Sequence, residues 1–66
     1  MVAIVNGETR TLAEGITVAE LLVTLELAGR RVAVELNQDL VPRNEFDARV
    51  IHDGDRLEIV HFVGGG

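Results

Sequence analysis

The sequence predicts an α+β domain in which one helix packs on a sheet of four to five short strands. Apolar residues recur with the period of a helix over residues 18–28, and apolar and polar residues alternate with the period of a strand over residues 31–36 and 56–62. Asn6-Gly7 separates two further strand-like segments. Because 66 residues suffice for one domain only, we assign residues 1–66 to a single domain.

The N-terminal segment is predicted to form a β-hairpin. Residues 1–5 are rich in β-branched side chains, and Asn6-Gly7 is the dipeptide preferred where both central turn residues need a positive φ. The return strand, residues 8–12, alternates threonine with charged residues, a polarity that favours the edge of a sheet. Gly15 is expected to end this strand segment.

A helix is predicted to begin at Val18. Thr17 and Glu20 have the spacing of a capping box, in which each side chain accepts a hydrogen bond from the other residue's backbone N–H. We expect the helix to end at Gly29 in a left-handed conformation, with the following Arg30-Arg31 pair interacting favourably with the helix dipole. Its predicted apolar face comprises Val18, Leu21, Leu22, Leu25 and Ala28.

The second half of the chain is predicted to add a strand, a short edge strand and a final strand. Residues 31–36 alternate like a half-buried strand, residues 37–39 turn, and Leu40-Val41 forms an edge that Pro42 ends. Residues 43–50 are expected to be irregular. A tight turn at residues 52–55 then leads into the most apolar strand, residues 56–62.

The last strand is predicted to carry a partner surface. Its side chains alternate between two faces, and a single helix can cover only one of them. Glu58 marks its face as the open one, which leaves Val60 and Phe62 exposed just before Val63 and the glycines. Exposed apolar groups of this kind indicate a binding surface for a partner. The alternatives are that residues 43–50 fold over Val60 and Phe62, or that the register of the strand is shifted.

Composition excludes several classes of function. A net charge of -5 and the absence of Trp and Tyr argue against nucleic-acid binding. With no Ser, Cys, Lys or Tyr, activated nucleophiles of the usual side-chain kinds are nearly absent, so we expect a protein that is not an enzyme. His52 and His61 have no metal-ligand spacing, and Asp53 and Asp55 are expected to form a turn rather than a metal site. No membrane span or leader is evident, so we expect a cytoplasmic protein.

The C-terminal segment Val63-Gly64-Gly65-Gly66 is the most informative part of the sequence. Gly64 and Gly65 lack side chains and are suited to thread a narrow channel, while Gly66 carries the terminal carboxylate. That carboxylate is ionised at neutral pH and is a poor electrophile, so it reacts only after activation, for example as an acyl-adenylate. The alternative is an ordinary flexible linker.

The ordered motifs resemble the ThiS family of thiamine-biosynthesis sulfur carriers along the whole chain. The resemblance is carried by Asn6-Gly7-Glu8, Thr17-Val18-Ala19-Glu20-Leu21-Leu22, Val34-Glu35-Leu36-Asn37, Val41-Pro42-Arg43, Asp53-Gly54-Asp55 and the run from Leu57 to Gly66. It implies a ubiquitin-like β-grasp fold with a mixed sheet.

The resemblance also implies a mechanism and partners. A ubiquitin-activating-type (ThiF-like) adenylyltransferase, using ATP and magnesium, would adenylate the Gly66 carboxylate. Sulfur supplied through a cysteine desulfurase or another source would convert it to a thiocarboxylate, and a thiazole synthase (ThiG-like) would take the sulfur. The carrier itself would bind no cofactor.

Two other functions are compatible with the same features. The small subunit of molybdopterin synthase shares the fold, the Gly-Gly terminus and the chemistry that the resemblance implies. A ubiquitin-like interaction module would use Val60 and Phe62 without any activation of Gly66.

Overall fold

The computed structural model describes residues 1–62, so the predicted tail residues Val63, Gly64, Gly65 and Gly66 lie outside the described part of the chain. Five strands and one α-helix follow one another along it, with a 3₁₀ turn at Arg43–Glu45 before the last strand. The elements are β1 (Val2–Val5), β2 (Glu8–Thr11), α1 (Val18–Thr24), β3 (Val32–Leu36), β4 (Asp39–Val41) and β5 (Arg56–His61).

The five strands form one mixed sheet in the order β2-β1-β5-β3-β4. β1 and β5 pair in parallel, whereas the other three neighbouring pairs are antiparallel. The polar β2 and the three-residue β4 are the edges, as predicted, and β5 lies in the centre between β1 and β3. With α1 packed on one face, this is the predicted α+β, ubiquitin-like β-grasp fold.

Two hairpins are closed by two-residue turns with positive φ. Asn6 and Gly7 have φ angles of 50° and 81° and connect β1 to β2, which confirms the predicted turn. Asn37 and Gln38, at 51° and 74°, connect β3 to β4 in the same way. These angles belong to the type I′ turn, whose twist matches that of the flanking strands.

The helix begins as predicted, but the left-handed residue that ends it comes three residues earlier than expected. Both hydrogen bonds of the Thr17 and Glu20 capping box are present. At the other end α1 stops at Thr24, and Glu26, rather than Gly29, takes the left-handed conformation that ends it, with φ 62°.

The early end of α1 is a Schellman motif. The Leu27 N–H donates to the Leu22 carbonyl at 2.7 Å, and the Glu26 N–H donates to the Val23 carbonyl at 3.0 Å. Leu27 then packs partly buried against the core, which favours an exit from the helix at this point. The prediction that Gly29 ends the helix is therefore wrong, and Ala28 is exposed beyond it.

The core lies between α1 and the sheet. Leu21, Val18, Val34 and Leu57 are fully buried, and Leu57 and Ile59 confirm the predicted inner face of β5. Burial of each large aliphatic side chain of this kind contributes about 1.5–3 kcal/mol relative to exposure. A domain this small therefore depends on every such contact.

Residues 43–50 close the core on the helix side rather than covering the open face. Phe46 is buried, and its carbonyl accepts a hydrogen bond from the Ala19 N–H at 3.0 Å. Val50 forms a bridge with Thr17. The alternative in which this segment folds over Val60 and Phe62 is thus excluded.

Within residues 1–62, no helix is long and apolar enough to cross a membrane, and α1 has only seven residues.

Candidate functional site

The candidate site lies at the end of the sheet where β5 leads towards the glycine tail. β5 ends at His61, and the N–H of Phe62 still donates to the Arg31 carbonyl at 2.9 Å. Phe62 is therefore fixed to the chain just before β3. The four predicted site residues that follow it are outside the described residues, so their threading and attachment roles stay predictions.

Val60 and Phe62 lie where the sequence predicted them, on the face of the sheet that α1 does not cover. Their exposed fractions are 54% and 52%, whereas the neighbouring Ile59 is only 7% exposed. Val60 lies directly opposite Ala33 on β3. We call Val60 and Phe62 the open-face patch; its use as a partner surface remains a prediction.

Beside the open-face patch, two glutamates face each other across neighbouring strands. Glu58 on β5 lies opposite Glu35 on β3. On its other side Glu35 lies opposite Leu40 of β4, whose side chain is 66% exposed. Two carboxylates directly opposite each other on neighbouring strands repel, so this pair does not stabilise the sheet. The open-face patch is thus bordered by negative charge on the side facing the middle of the sheet.

β5 is held by a side chain that the sequence did not reveal as part of the site. Asn6, already needed for the first hairpin turn, hydrogen-bonds to both backbone groups of Ile59. Because β1 has turned into the hairpin at this point, the amide side chain replaces the next rung of the β1–β5 ladder. It fixes the strand one residue before Val60.

Two arginines lie beside Phe62, and no pattern in the sequence indicates that they are close together. Arg31, Val32, Arg43 and Phe62 line a shallow surface depression, which we call the tail-end depression. The expectation that the Arg30-Arg31 pair interacts with the helix dipole is wrong, because α1 ends at Thr24 and has no basic residue in its last turn. Arg31 instead precedes β3, next to Phe62.

The two aspartates of the predicted turn have structural roles. Asp53 Oδ1 accepts from the Val2 N–H at 2.8 Å, which ties the turn to β1, and Asp55 Oδ2 accepts from the His52 N–H at 2.8 Å within the turn. His61 is exposed on β5. Over residues 1–62 there is no group of three or more side chains that could hold a metal ion.

Comparison with known proteins matches both the sequence and the fold. A model of the ThiS family matches residues 3–66. The chain is 33% identical over 61 residues to the sulfur carrier protein ThiS of Escherichia coli, which covers 92% of each chain. A crystal structure of the thiamine biosynthesis protein ThiS from Geobacter metallireducens has a TM-score of 0.84 and 43% identity, with full coverage of both chains.

Longer proteins also contain a similar region. Over 66 residues the chain is 44% identical to a thiazole synthase of Paramagnetospirillum magneticum, covering 100% of this chain and 20% of that protein. A thiazole synthase of Magnetococcus marinus is 43% identical over 61 residues, which cover 19% of its length. The chain therefore spans about a fifth of the length of these two relatives.

Proposed function

The chain belongs to the ThiS family of sulfur carriers for thiamine biosynthesis, and on that premise we propose that it carries sulfur as a thiocarboxylate on Gly66. The observation that supports this most is the continuity of the family match through the glycine tail, directly after a strand fixed in the centre of the sheet. The sulfur is destined for the thiazole moiety of thiamine.

The first chemical step is adenylation by a ubiquitin-activating-type adenylyltransferase that binds ATP and magnesium. A carboxylate oxygen of Gly66 attacks the α-phosphate of ATP, the bond between the α- and β-phosphates breaks, and pyrophosphate leaves. The product is an acyl-adenylate. The chain supplies the carboxylate, and it has no Ser, Cys, Lys or Tyr side chain to compete with it.

The second step places sulfur on the acyl carbon. A sulfur nucleophile from a cysteine desulfurase or another source attacks this carbon, a C–S bond forms, and AMP leaves with the electron pair of the broken C–O bond. Where the sulfur arrives as a protein persulfide, a second thiol must reduce the resulting acyl disulfide to release the thiocarboxylate. Thiazole synthase then accepts the sulfur.

One structural feature and one comparison support this role. The open-face patch gives each enzyme an apolar contact beside the start of the tail, with Val60 and Phe62 about half exposed. Val63 is proposed to extend this contact, and Gly64 and Gly65 to thread the active-site channel. The two thiazole synthases that contain a similar region support thiazole synthase as a partner.

The proposal is tested by ATP–pyrophosphate exchange with the cognate adenylyltransferase. The full chain should support exchange, whereas a chain lacking Gly66 should not, because its carboxylate is withdrawn by about 3.3 Å, one extended residue. A chain with one added glycine is the matched control and should also fail, while both variants should melt like the parent. Normal exchange by the shortened chain would contradict the proposal, and no exchange by the full chain would favour an interaction module.

A further inference from the structure

The tail-end depression brings together residues that are far apart in sequence. β3 begins, and its neighbours β4 and β5 end, at the same end of the sheet, because β3 is antiparallel to both. Arg31 just before β3, Arg43 just after β4 and Phe62 just after β5 consequently surround one depression. It opens where the chain leaves the sheet for the tail.

Arg43 is fixed through its side chain, and Arg31 is fixed through its backbone. The Arg43 guanidinium donates from Nη2 to the Arg30 carbonyl at 2.7 Å. The Arg31 carbonyl accepts from the Phe62 N–H at 2.9 Å, which links Arg31 to the end of β5. Both residues are exposed. The Arg43 guanidinium and the Arg31 backbone are thus held near Phe62, and both side chains remain open to a partner.

These arginines have no acidic partner within the described part of the chain. The ion pairs there join the N-terminal amino group to Glu14 and Arg49 to Glu45, and His52 Nδ1 lies 4.0 Å from Asp55 Oδ2. The chain as a whole carries a charge of -5. Arg31 and Arg43 therefore place uncompensated positive charge on an acidic protein, at the one end from which the tail departs.

We propose that Arg31 and Arg43 form a docking surface for carboxylate side chains of the adenylyltransferase, and that they steer the carrier onto that enzyme with its tail foremost. This inference rests on the proposed function and adds the residues that set the orientation of approach. Complementary charges raise the rate of encounter and suppress wrong orientations more than they raise final affinity.

The ligand of the two arginines is the enzyme surface rather than the nucleotide. The four residues after Phe62 reach at most ~13 Å when extended, at about 3.3 Å per residue. A tail extended to that length in the enzyme's channel would place Gly66, and the ATP it meets, beyond the arginine side chains. Carboxylates around the mouth of the enzyme's channel are the groups that Arg31 and Arg43 then face.

The two matched thiazole synthases contain a region similar to this chain within the synthase polypeptide, so in those proteins covalent linkage brings the two parts together. An adenylyltransferase encountered as a separate protein is met by diffusion, and complementary charge raises the rate of that encounter. Steering also counters the repulsion that an acidic carrier experiences on approaching an ATP-loaded site.

The test compares charge reversals at the depression with the same change elsewhere. Arg31→Glu, Arg43→Glu and the double variant are measured with the cognate adenylyltransferase by stopped-flow association and ATP–pyrophosphate exchange. Arg10→Glu, on the opposite edge strand β2, is the control for net charge. Thermal melting confirms that each variant is folded. If Arg43→Glu unfolds the domain because its contact with Arg30 is lost, the Arg31→Glu variant, which keeps that contact, still tests the inference.

The double variant should associate about ten-fold or more slowly than the parent at low salt, with a flatter salt dependence, while Arg10→Glu changes little. Equal association rates for double variant and parent would overturn the inference while leaving the proposed function intact, since the parent would still be adenylated. The inference would also be overturned if the double variant were adenylated normally but transferred sulfur poorly to thiazole synthase. A salt-dependent dimer formed by the parent and not by the double variant would overturn it as well. Failure of the parent itself to exchange would instead overturn the proposed function.

Discussion

Asn6 joins the first hairpin turn to the strand that presents the open-face patch, through two hydrogen bonds to Ile59. Its Oδ1 accepts from the Ile59 N–H at 2.7 Å, and its Nδ2 donates to the Ile59 carbonyl at 3.2 Å. Asn37, in the second hairpin turn, accepts from the Arg56 N–H at 3.0 Å. Two turn asparagines therefore hold β5 from its two sides, but only Asn6 does so beside Val60.

Replacement of Asn6 should separate its role in the turn from its contact with β5. Asn6→Gly keeps the positive φ but removes both hydrogen bonds, so a partly buried N–H and carbonyl lose their partner, and we expect a loss of about 1–2 kcal/mol in the free energy of unfolding. Asn37→Gly, the matched control, removes more exposed bonds and should cost less. Urea denaturation measures both.

Amide hydrogen exchange at Ile59 tests the contact between Asn6 and β5 directly, because the Ile59 N–H donates to the Asn6 side chain. Exchange at this amide should accelerate in Asn6→Gly more than exchange at other β5 amides, and it should be unaffected by Asn37→Gly beyond the change in global stability. Unchanged protection of Ile59 in Asn6→Gly would show that the side chain does not hold the strand.

Phe62→Asp should weaken binding to the adenylyltransferase, thiazole synthase or both without unfolding the domain. Phe62 is about half exposed, so a charge there meets water in the free protein but is buried against an apolar partner surface. We expect an affinity loss of about ten-fold or more, as for a central aromatic contact. Val23→Asp, at a 63% exposed position on α1, is the control and should bind normally.

Titration calorimetry and thermal melting together decide this prediction. Loss of the cooperative melting transition in Phe62→Asp would mean that Phe62 belongs to the core. A folded variant with parental affinity for both enzymes would remove Phe62 from the proposed partner surface.

Exchanging glycine and glutamine at the second position of the two hairpin turns should change the stability of the fold in opposite directions. Gln38 has φ 74° at the position that Gly7 occupies with φ 81° in the first turn. Gln38→Gly should therefore stabilise the fold, whereas Gly7→Gln should destabilise it, each by about 0.5–1 kcal/mol. A Cβ at Gly7 would meet no atom within 4 Å, so the cost there is conformational. Equal unfolding midpoints in urea for parent and both variants would contradict this reasoning.

The sequence predicts the fold well because its local signals agree with the tertiary structure. The structure contains the predicted alternation along β5, the Asn6-Gly7 turn and the capping box of Thr17. The exposure of Val60 and Phe62 follows from that alternation, because both lie on the same face as Glu58. These features depend on neighbours in sequence, which the amino-acid pattern records.

The features that the sequence missed depend on tertiary contacts. The end of α1 was misplaced because Glu26 adopts a conformation usual for glycine, in a motif stabilised by the packing of Leu27. The bonds from Asn6 to Ile59 span 53 residues. The proximity of Arg31 and Arg43 depends on the register of β3 and β4, which periodicity alone does not fix.

The central claim is that Gly66 carries sulfur, and intact-mass analysis of the protein from cells grown under thiamine limitation tests it most directly. We expect a species heavier than the unmodified chain by the replacement of one oxygen with one sulfur atom, with fragmentation placing the change on Gly66. The species should disappear when the adenylyltransferase is deleted. A chain that retains an unmodified Gly66 carboxylate under thiamine limitation, with the adenylyltransferase present and thiazole synthase removed to let the product accumulate, would contradict the account.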